Sequence, residues 1–251
     1  LGTKSRILFS IGSAVPFKLV SHRYKNILSE TDKVVANSKF TGMMLNLLYN
    51  IEPVGIVYPP IDTDVFKPSE INSKQKEVLI YIGSHAGDTH SRLLAQLLNL
   101  LISSNCVDKV NLFGDTRTYR LSEKLLDHPS VEIIRRISDV ELAHAYSRSA
   151  LTICPQMWET FGYVQLESIL CGTPVLAFAL TPSAEIIQNK DILRLAYGEK
   201  ALLKNLKDLL KNGDCLRLMK QRCSECREHL LNIISQEHSA DRLISLLGQS
   251  H

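Results

Sequence analysis

Between residues 150 and 187 the chain reads ALTICPQMWETFGYVQLESILCGTPVLAFALTPSAEII, and its punctuation leaves few folds open. Ala150 to Cys154 is an apolar run of the length of a buried strand, and Pro155 ends it. Helical spacing follows, with Val164, Leu166, Ile169 and Leu170 as its apolar set. Gly172 stands where a helix needs a left-handed residue, and Pro174 bars the helix from restarting. Thr173 to Phe178 is a second buried-strand run. Strand, loop, helix and strand in that order make the βαβ element of a parallel sheet.

The same alternation runs through much of the chain. Arg6 to Ile11, Asp32 to Ala36 and Gly55 to Tyr58 are expected strands, with helices over Phe17 to Leu28 and Phe40 to Tyr49 between them. Asn37 and Ser38 offer the second helix an N-cap. Pro59 and Pro60 close this part, and polar residues from Ser69 to Lys76 complete an expected linker over 59–76. Strands at Val78 to Gly83, Val110 to Gly114 and Val131 to Ile134 then alternate with helices at Ser91 to Leu101, Thr118 to Leu126 and Asp139 to Ser147. A helical turn at Pro182 to Gln188 and a weak last strand at Ile192 to Leu195 follow the central unit. From Glu199 onward the pattern is helical, broken at Asn212-Gly213. The expected fold is α/β: a doubly wound, Rossmann-like parallel sheet over 77–198, a partial N-terminal α/β domain over 1–58, and terminal helices over 199–251. Ligands of such a sheet bind at the carboxyl ends of its strands. Gly83, the loop after Ile134 and Glu159 all fall there.

Composition excludes several classes. Apolar residues make up 45% and charged residues 22% of the 251, as in a globular protein. A net charge of +3 is too slight to argue for a nucleic-acid partner. No apolar run reaches 18 residues and no signal peptide is visible. The six cysteines are scattered and read as reduced, which places the chain in the cytoplasm. Cys223, Cys226 and His229 have the spacing of zinc ligands, but lie in a charged helical pattern with no second pair nearby; the plainer reading is a helix that carries cysteines. Lys18, His22, Arg23 and Lys25 give the Phe17–Leu28 stretch a basic face, either solvated or touching a membrane surface. The first residue is Leu rather than Met, as in a piece cut from a longer chain.

Two carboxylates stand in the otherwise apolar central unit. Glu159 precedes the helix and Glu167 lies within it, eight residues later. Thr160, Phe161 and Gly162 mark the helix start, whose free N–H groups suit a polar or anionic ligand. A carboxylate accepts hydrogen bonds in pairs from vicinal hydroxyls, the groups that sugars and riboses carry. The plainer alternative has Glu159 complementing the helix dipole and Glu167 solvated.

The string as a whole resembles the C-terminal signature of retaining glycosyltransferases of the GT-B type, carried here by Pro155, Glu159, Phe161, Gly162, Glu167, Gly172, Pro174 and Val175. "DKVVANSKFTGMML" and "YPPIDTDVFKP" also look like that family, with Asp32, Ser38, Pro60, Asp62, Phe66 and Pro68 in its positions. The resemblance implies a nucleotide-sugar donor and no metal or other cofactor. It makes Glu159 the catalytic residue, holding hydroxyls of the transferred sugar, and gives Glu167 the ribose. Amides of Thr160, Phe161, Gly162 and Tyr163 would line the sugar and phosphate, and Arg136 and Ile137 would lie against the base. The terminal helices would return toward the N-terminal domain.

The chain departs from that family at the diphosphate. In "IGSHAGDTHSR", Ser84 and Thr89 stand where an Arg and a Lys are usual. Gly83 keeps the loop permissive, and Arg92 is the best substitute cation, unless it faces solvent. Arg135 replaces a usual Gly, and Thr181-Pro182 replaces a Gly-Gly pair. The expected activity is transfer of a sugar to an acceptor hydroxyl, on a glycan, a lipid-linked glycan or a small molecule. Two other readings stay open: a binding or regulatory subunit without transfer activity, and epimerisation of a nucleotide sugar on the same fold.

Overall fold

A computed structural model describes residues 21–69, 76–83, 88–114, 121–157, 159–187 and 189–248. The chain divides into two compact units: one formed by the residues through Tyr58 with those from Ala240, the other by Pro59–Ser239.

In the first unit, helix α1 runs through residues 21–29, and β1 (Val35–Ala36) pairs in parallel with β2 (Gly55–Ile56). Helix α2 (Lys39–Tyr49) joins the strands. Its N-cap is Ser38, whose hydroxyl accepts from the Thr41 N–H, and left-handed Asn50 ends it. The two strands are shorter than their apolar runs suggest. The expected strand at Arg6 to Ile11, and residues 17–20 of the basic stretch, lie outside the described residues. His22, Arg23 and Lys25 are exposed on α1.

The second unit is built on six strands: β3 (Glu77–Ile82), β4 (Lys109–Gly114), β5 (Val131–Ile134), β6 (Ser149–Cys154), β7 (Val175–Phe178) and β8 (Leu193–Ala196). All pair in parallel, in the order β5-β4-β3-β6-β7-β8. Helices α3 (Asp88–Ser103), α4 (Glu123–Leu126), α5 (Asp139–Arg148), α6 (Tyr163–Leu170), α7 (Glu199–Lys211) and α8 (Gly213–Ile234) flank it. The last helix, α9 (Gln236–Gly248), begins after a break at Ser235 that the apolar pattern does not reveal. There the backbone turns extended, and the Ser235 hydroxyl accepts from the His238 N–H. Of the helix expected at Thr118 to Leu126, only α4 falls among the described residues.

Strand side chains alternate between the two faces. Val78, Ile80, Ile82, Val110, Leu112, Leu151 and Ile153 join Leu93, Leu94, Leu97 and Leu98 of α3 and Leu202 and Leu206 of α7 in one buried cluster. On the opposite face Phe113 meets Tyr146 of α5, and Ser168 of α6 bonds Thr152. Part of the expected linker is packed rather than loose. Ile61 donates its N–H to the Ile234 carbonyl, Asp62 caps the turn at Asp64 and Val65, and Phe66 is buried.

The sheet order fixes where a ligand can enter. The chain winds outward from β3 through β4 to β5, then returns to β6 on the other side of β3. The crevice beyond the carboxyl ends of β3 and β6 is therefore the topological switch point.

Candidate functional site

Gly83 follows β3 and Pro155-Gln156 follow β6, so both loops open at the switch point. They touch there: the Gln156 amide donates to the Tyr81 carbonyl at 3.0 Å, and Gln156 fills the space above Gly83. Residues 84–87, with Ser84, lie outside the described residues. Arg92 is exposed on α3.

The chain from Pro155 leads to Gly162, the N-cap of α6, which sits at φ +95°. No side chain caps this helix, so its first amides point toward whatever occupies the crevice. Only glycine fits at 162. A Cβ there would meet the Gln165 Oε1 at 2.3 Å and the Thr181 Oγ1 at 2.8 Å. Those atoms belong to a buried knot in which the Thr181 and Ser183 hydroxyls close on the Gln165 carbonyl. The Thr181 that departs from the family pattern is thus tied to the helix start. Phe161 is buried and meets the Tyr163 ring edge-on at 5.0 Å, so it can face a ligand only through its backbone. Thr160 is exposed and Tyr163 is 44% exposed.

Glu159 and Glu167 are both half-buried, which rules out a freely solvated Glu167. Burial raises the Glu159 carboxyl above the ordinary carboxylate range and pushes Glu167 to about 7. The Tyr146 hydroxyl opposes that shift by donating to Glu167 Oε2 at 3.1 Å, while Asp139 adds to it. The two glutamates act on the same neighbours. Beyond the effect of burial, both raise the Tyr81 hydroxyl and the Cys154 thiol, which lie near the carboxyl ends of β3 and β6. Around the loop that follows β6 there are thus two half-buried carboxylates, an uncapped helix start and a close approach of Gln156 to Gly83.

Arg136 and Ile137 lie between β5 and α5, with Arg136 exposed. Ser138 and Glu141 form a capping box directly after them, which fixes where α5 begins. Tyr146, Gln156, Gln165, Thr181 and Ser183 were not singled out as site residues by sequence. Tyr146 falls at core spacing in α5, and the others carry no charge to mark them. The Cys223-Cys226 pair lies on α8, with Cys223 buried and His229 exposed. Among the described residues, no group of three metal-binding side chains comes together.

The fold is that of a doubly wound α/β protein, and comparison supplies its family. The model described as "Glycosyl transferases group 1" matches residues 62–226, so the chain belongs to that family. It is similar to the D-inositol 3-phosphate glycosyltransferase of Mycolicibacterium paratuberculosis, with 25% identity over 171 residues, covering 62% of this chain and 39% of that protein. The chain thus spans well under half the length of that curated relative. Among solved structures, sucrose-phosphate synthase from Thermosynechococcus elongatus aligns with a TM-score of 0.74 at 18% identity, over 92% of this chain and 61% of its own. The HepE protein of Anabaena, solved with UDP and glucose, aligns with a TM-score of 0.64 at 14% identity, over 88% of this chain and 64% of its own. At these identities the structural likeness establishes the shared fold. Among the described residues, no helix is long and apolar enough to cross a membrane.

Proposed function

We propose that this chain carries the donor site of a retaining glycosyltransferase, which moves a sugar from a nucleotide-sugar donor to an acceptor hydroxyl. The reading rests on one observation above others: Glu159, in the loop after β6, and Glu167, on α6, are half-buried carboxylates on either side of an uncapped helix start that follows a switch-point strand. Each is a desolvated carboxylate, and a sugar or ribose offers paired hydroxyls in place of the lost water. Glu167 takes the ribose and Glu159 the hydroxyls of the transferred sugar. The amides from Thr160 to Tyr163 face the sugar and the phosphate, and Arg136 and Ile137 lie against the base. The known ligands of HepE, UDP and glucose, fit that division. Arg92 serves as the cation for the diphosphate.

In the transfer, the bond from the anomeric carbon to the phosphate oxygen breaks and a bond from that carbon to the acceptor oxygen forms. Retention follows from attack on the face the phosphate leaves. The acceptor proton passes to the departing phosphate, and a nucleoside diphosphate is released. The negative charge that develops on that phosphate is what the fixed amides of the α6 tip stabilise. A glycan, a lipid-linked glycan or a small molecule supplies the acceptor hydroxyl, and the chain works in the cytoplasm. A regulatory subunit without transfer activity is not favoured, because the relatives it matches are named as glycosyltransferases and both carboxylates are in place.

Calorimetric titration with ADP, GDP and UDP tests the assignment. Glu167→Ala is expected to weaken the diphosphate that binds wild type at least tenfold. Glu159→Ala is expected to leave that affinity within about threefold, while slowing sugar release from the matching nucleotide sugar by about a hundredfold. Unchanged affinity in Glu167→Ala rejects the ribose assignment.

A further inference from the structure

The hydrogen-bond donor to Glu167 is a residue that the family signature leaves aside. Tyr146 is fully buried on α5, and its ring is held from two sides, by Phe66 at 6.3 Å and by Phe113 edge-on at 6.0 Å. Its backbone is tied as well, because the Thr173 hydroxyl donates to the Tyr146 carbonyl at 2.6 Å. A ring fixed this way gives its hydroxyl one place to go, and that place is Glu167 Oε2. A buried tyrosine hydroxyl needs a partner, so a merely structural bond would account for the contact alone. It would not account for the choice of partner. Glu167 is a desolvated carboxylate with no cation paired to it among the described residues, and the Tyr146 hydroxyl is the donor that eases its charge.

We propose that Tyr146 is the positioning residue of the donor site: it fixes the plane of the Glu167 carboxylate and holds it ready for the ribose hydroxyls. The inference rests on the ribose reading of Glu167. One lone pair of Oε2 is taken by Tyr146. No other described side chain donates to Glu167, which leaves the remaining acceptor positions for a vicinal diol. The same helix has a second part to play. α5 starts at the capping box directly after Arg136 and Ile137 and carries Tyr146 near its other end. One rigid element thus joins the loop assigned to the base with the side chain that positions the ribose-binding carboxylate. Phe66, from the turn capped by Asp62, braces that arrangement from the far side.

Tyr146→Phe removes the hydroxyl and keeps the ring that packs on Phe66 and Phe113. Binding of ADP, GDP and UDP, and of their 2′,3′-dideoxy forms, is measured for wild type, Tyr146→Phe, Glu167→Gln and the double variant. Wild type is expected to prefer the ribose form at least tenfold. Tyr146→Phe should weaken that form five- to tenfold and leave the dideoxy form within twofold. On the Glu167→Gln background the same change should have no further effect.

A pH series adds a second readout beside the ribose selectivity, which a merely structural bond would not move. Affinity for the ribose form should rise with pH through the Glu167 titration near 7, and the midpoint should shift upward in Tyr146→Phe. The groups that feel Glu167 are Asp139 and Tyr146 on α5, Tyr81 on β3, Cys154 on β6, and Tyr163 and Cys171 at the two ends of α6.

Equal loss of the ribose and dideoxy forms in Tyr146→Phe overturns the proposal, as does an undiminished effect on the Glu167→Gln background. If wild type discriminates and Glu167→Gln abolishes the preference, yet Tyr146→Phe changes nothing, only the role of Tyr146 falls. If no diphosphate in the panel shows a ribose preference, the ribose reading falls and this inference with it.

Discussion

Glu167 is the side chain on which burial and the proposed role pull in opposite directions. Desolvation lifts its folded pKa to about 7, so the folded protein binds that proton more tightly than the unfolded chain does. By linkage the stabilising contribution is complete below the ordinary carboxylate pKa and disappears as pH rises through 7. Glu167→Gln, which cannot ionise, should therefore lose less stability than wild type between pH 5 and pH 8. The gap should approach on the order of 2 kcal/mol, less than the full shift because the side chain is not wholly desolvated. Urea unfolding at the two pH values measures it, and parallel slopes for wild type and variant would contradict the shift. At this scale the sequence was informative about charge and silent about support. Two glutamates around a helix start stand out in an apolar unit. Tyr146 does not, because a tyrosine at core spacing looks like any other packed ring until its hydroxyl is located. Gln165 is buried beneath Gly162 for the same kind of reason, since a neutral amide carries no pattern of its own.

Helix α6 is bounded by two left-handed glycines, and they do different work. Gly172, at φ +84°, completes a Schellman turn in which its N–H bonds Ile169 and that of Thr173 bonds Ser168. A Cβ there would find only Pro68 Cγ, at 3.8 Å. Gly172→Ala should cost about 1–2 kcal/mol of conformational strain and leave nucleotide affinity unchanged. Gly162→Ala adds a collision to the same strain, since its Cβ would press on Gln165, Thr181 and Ser183. It should cost at least about 3 kcal/mol. It should also weaken diphosphate binding more than tenfold by displacing the first amides of α6. Denaturation and titration of the two variants side by side separate strain from displacement, and equal behaviour would contradict the crowding at the helix start. Element order was legible because strand-length apolar runs and helical spacing alternate with clear stops. Boundaries were less so. β7 starts at Val175 rather than Thr173, because Thr173 is spent on the helix turn and Pro174 has no N–H to give the sheet. The break at Ser235 has neither Gly nor Pro to mark it in the sequence.

For the whole molecule, the parallel sheet with helices on both faces follows from the sequence rhythm, whereas the strand order does not. Apolar runs say which segments are strands but not which side of β3 receives β6. The Pro59–Ser239 unit has its own buried cluster, and the Ile61–Ile234 bond ties the start of the unit to the end of α8. A chain trimmed to residues 59–239 should therefore unfold in a single cooperative transition. It should bind the diphosphate within about threefold of the full chain. A broad, non-cooperative melt would show that the unit depends on the rest.

The β3–β6 pairing has a consequence for biosynthesis. Glu77 lies beside Ser149 in the sheet, so the two central strands meet only after some 70 intervening residues have been made. Until β6 leaves the ribosome, the nascent β5-β4-β3 ladder presents the flank of β3 as an open edge with apolar Val78, Leu79 and Ile80 along it. An unpaired flank of that kind invites self-association, so the crevice at the switch point forms only once β6 has been made.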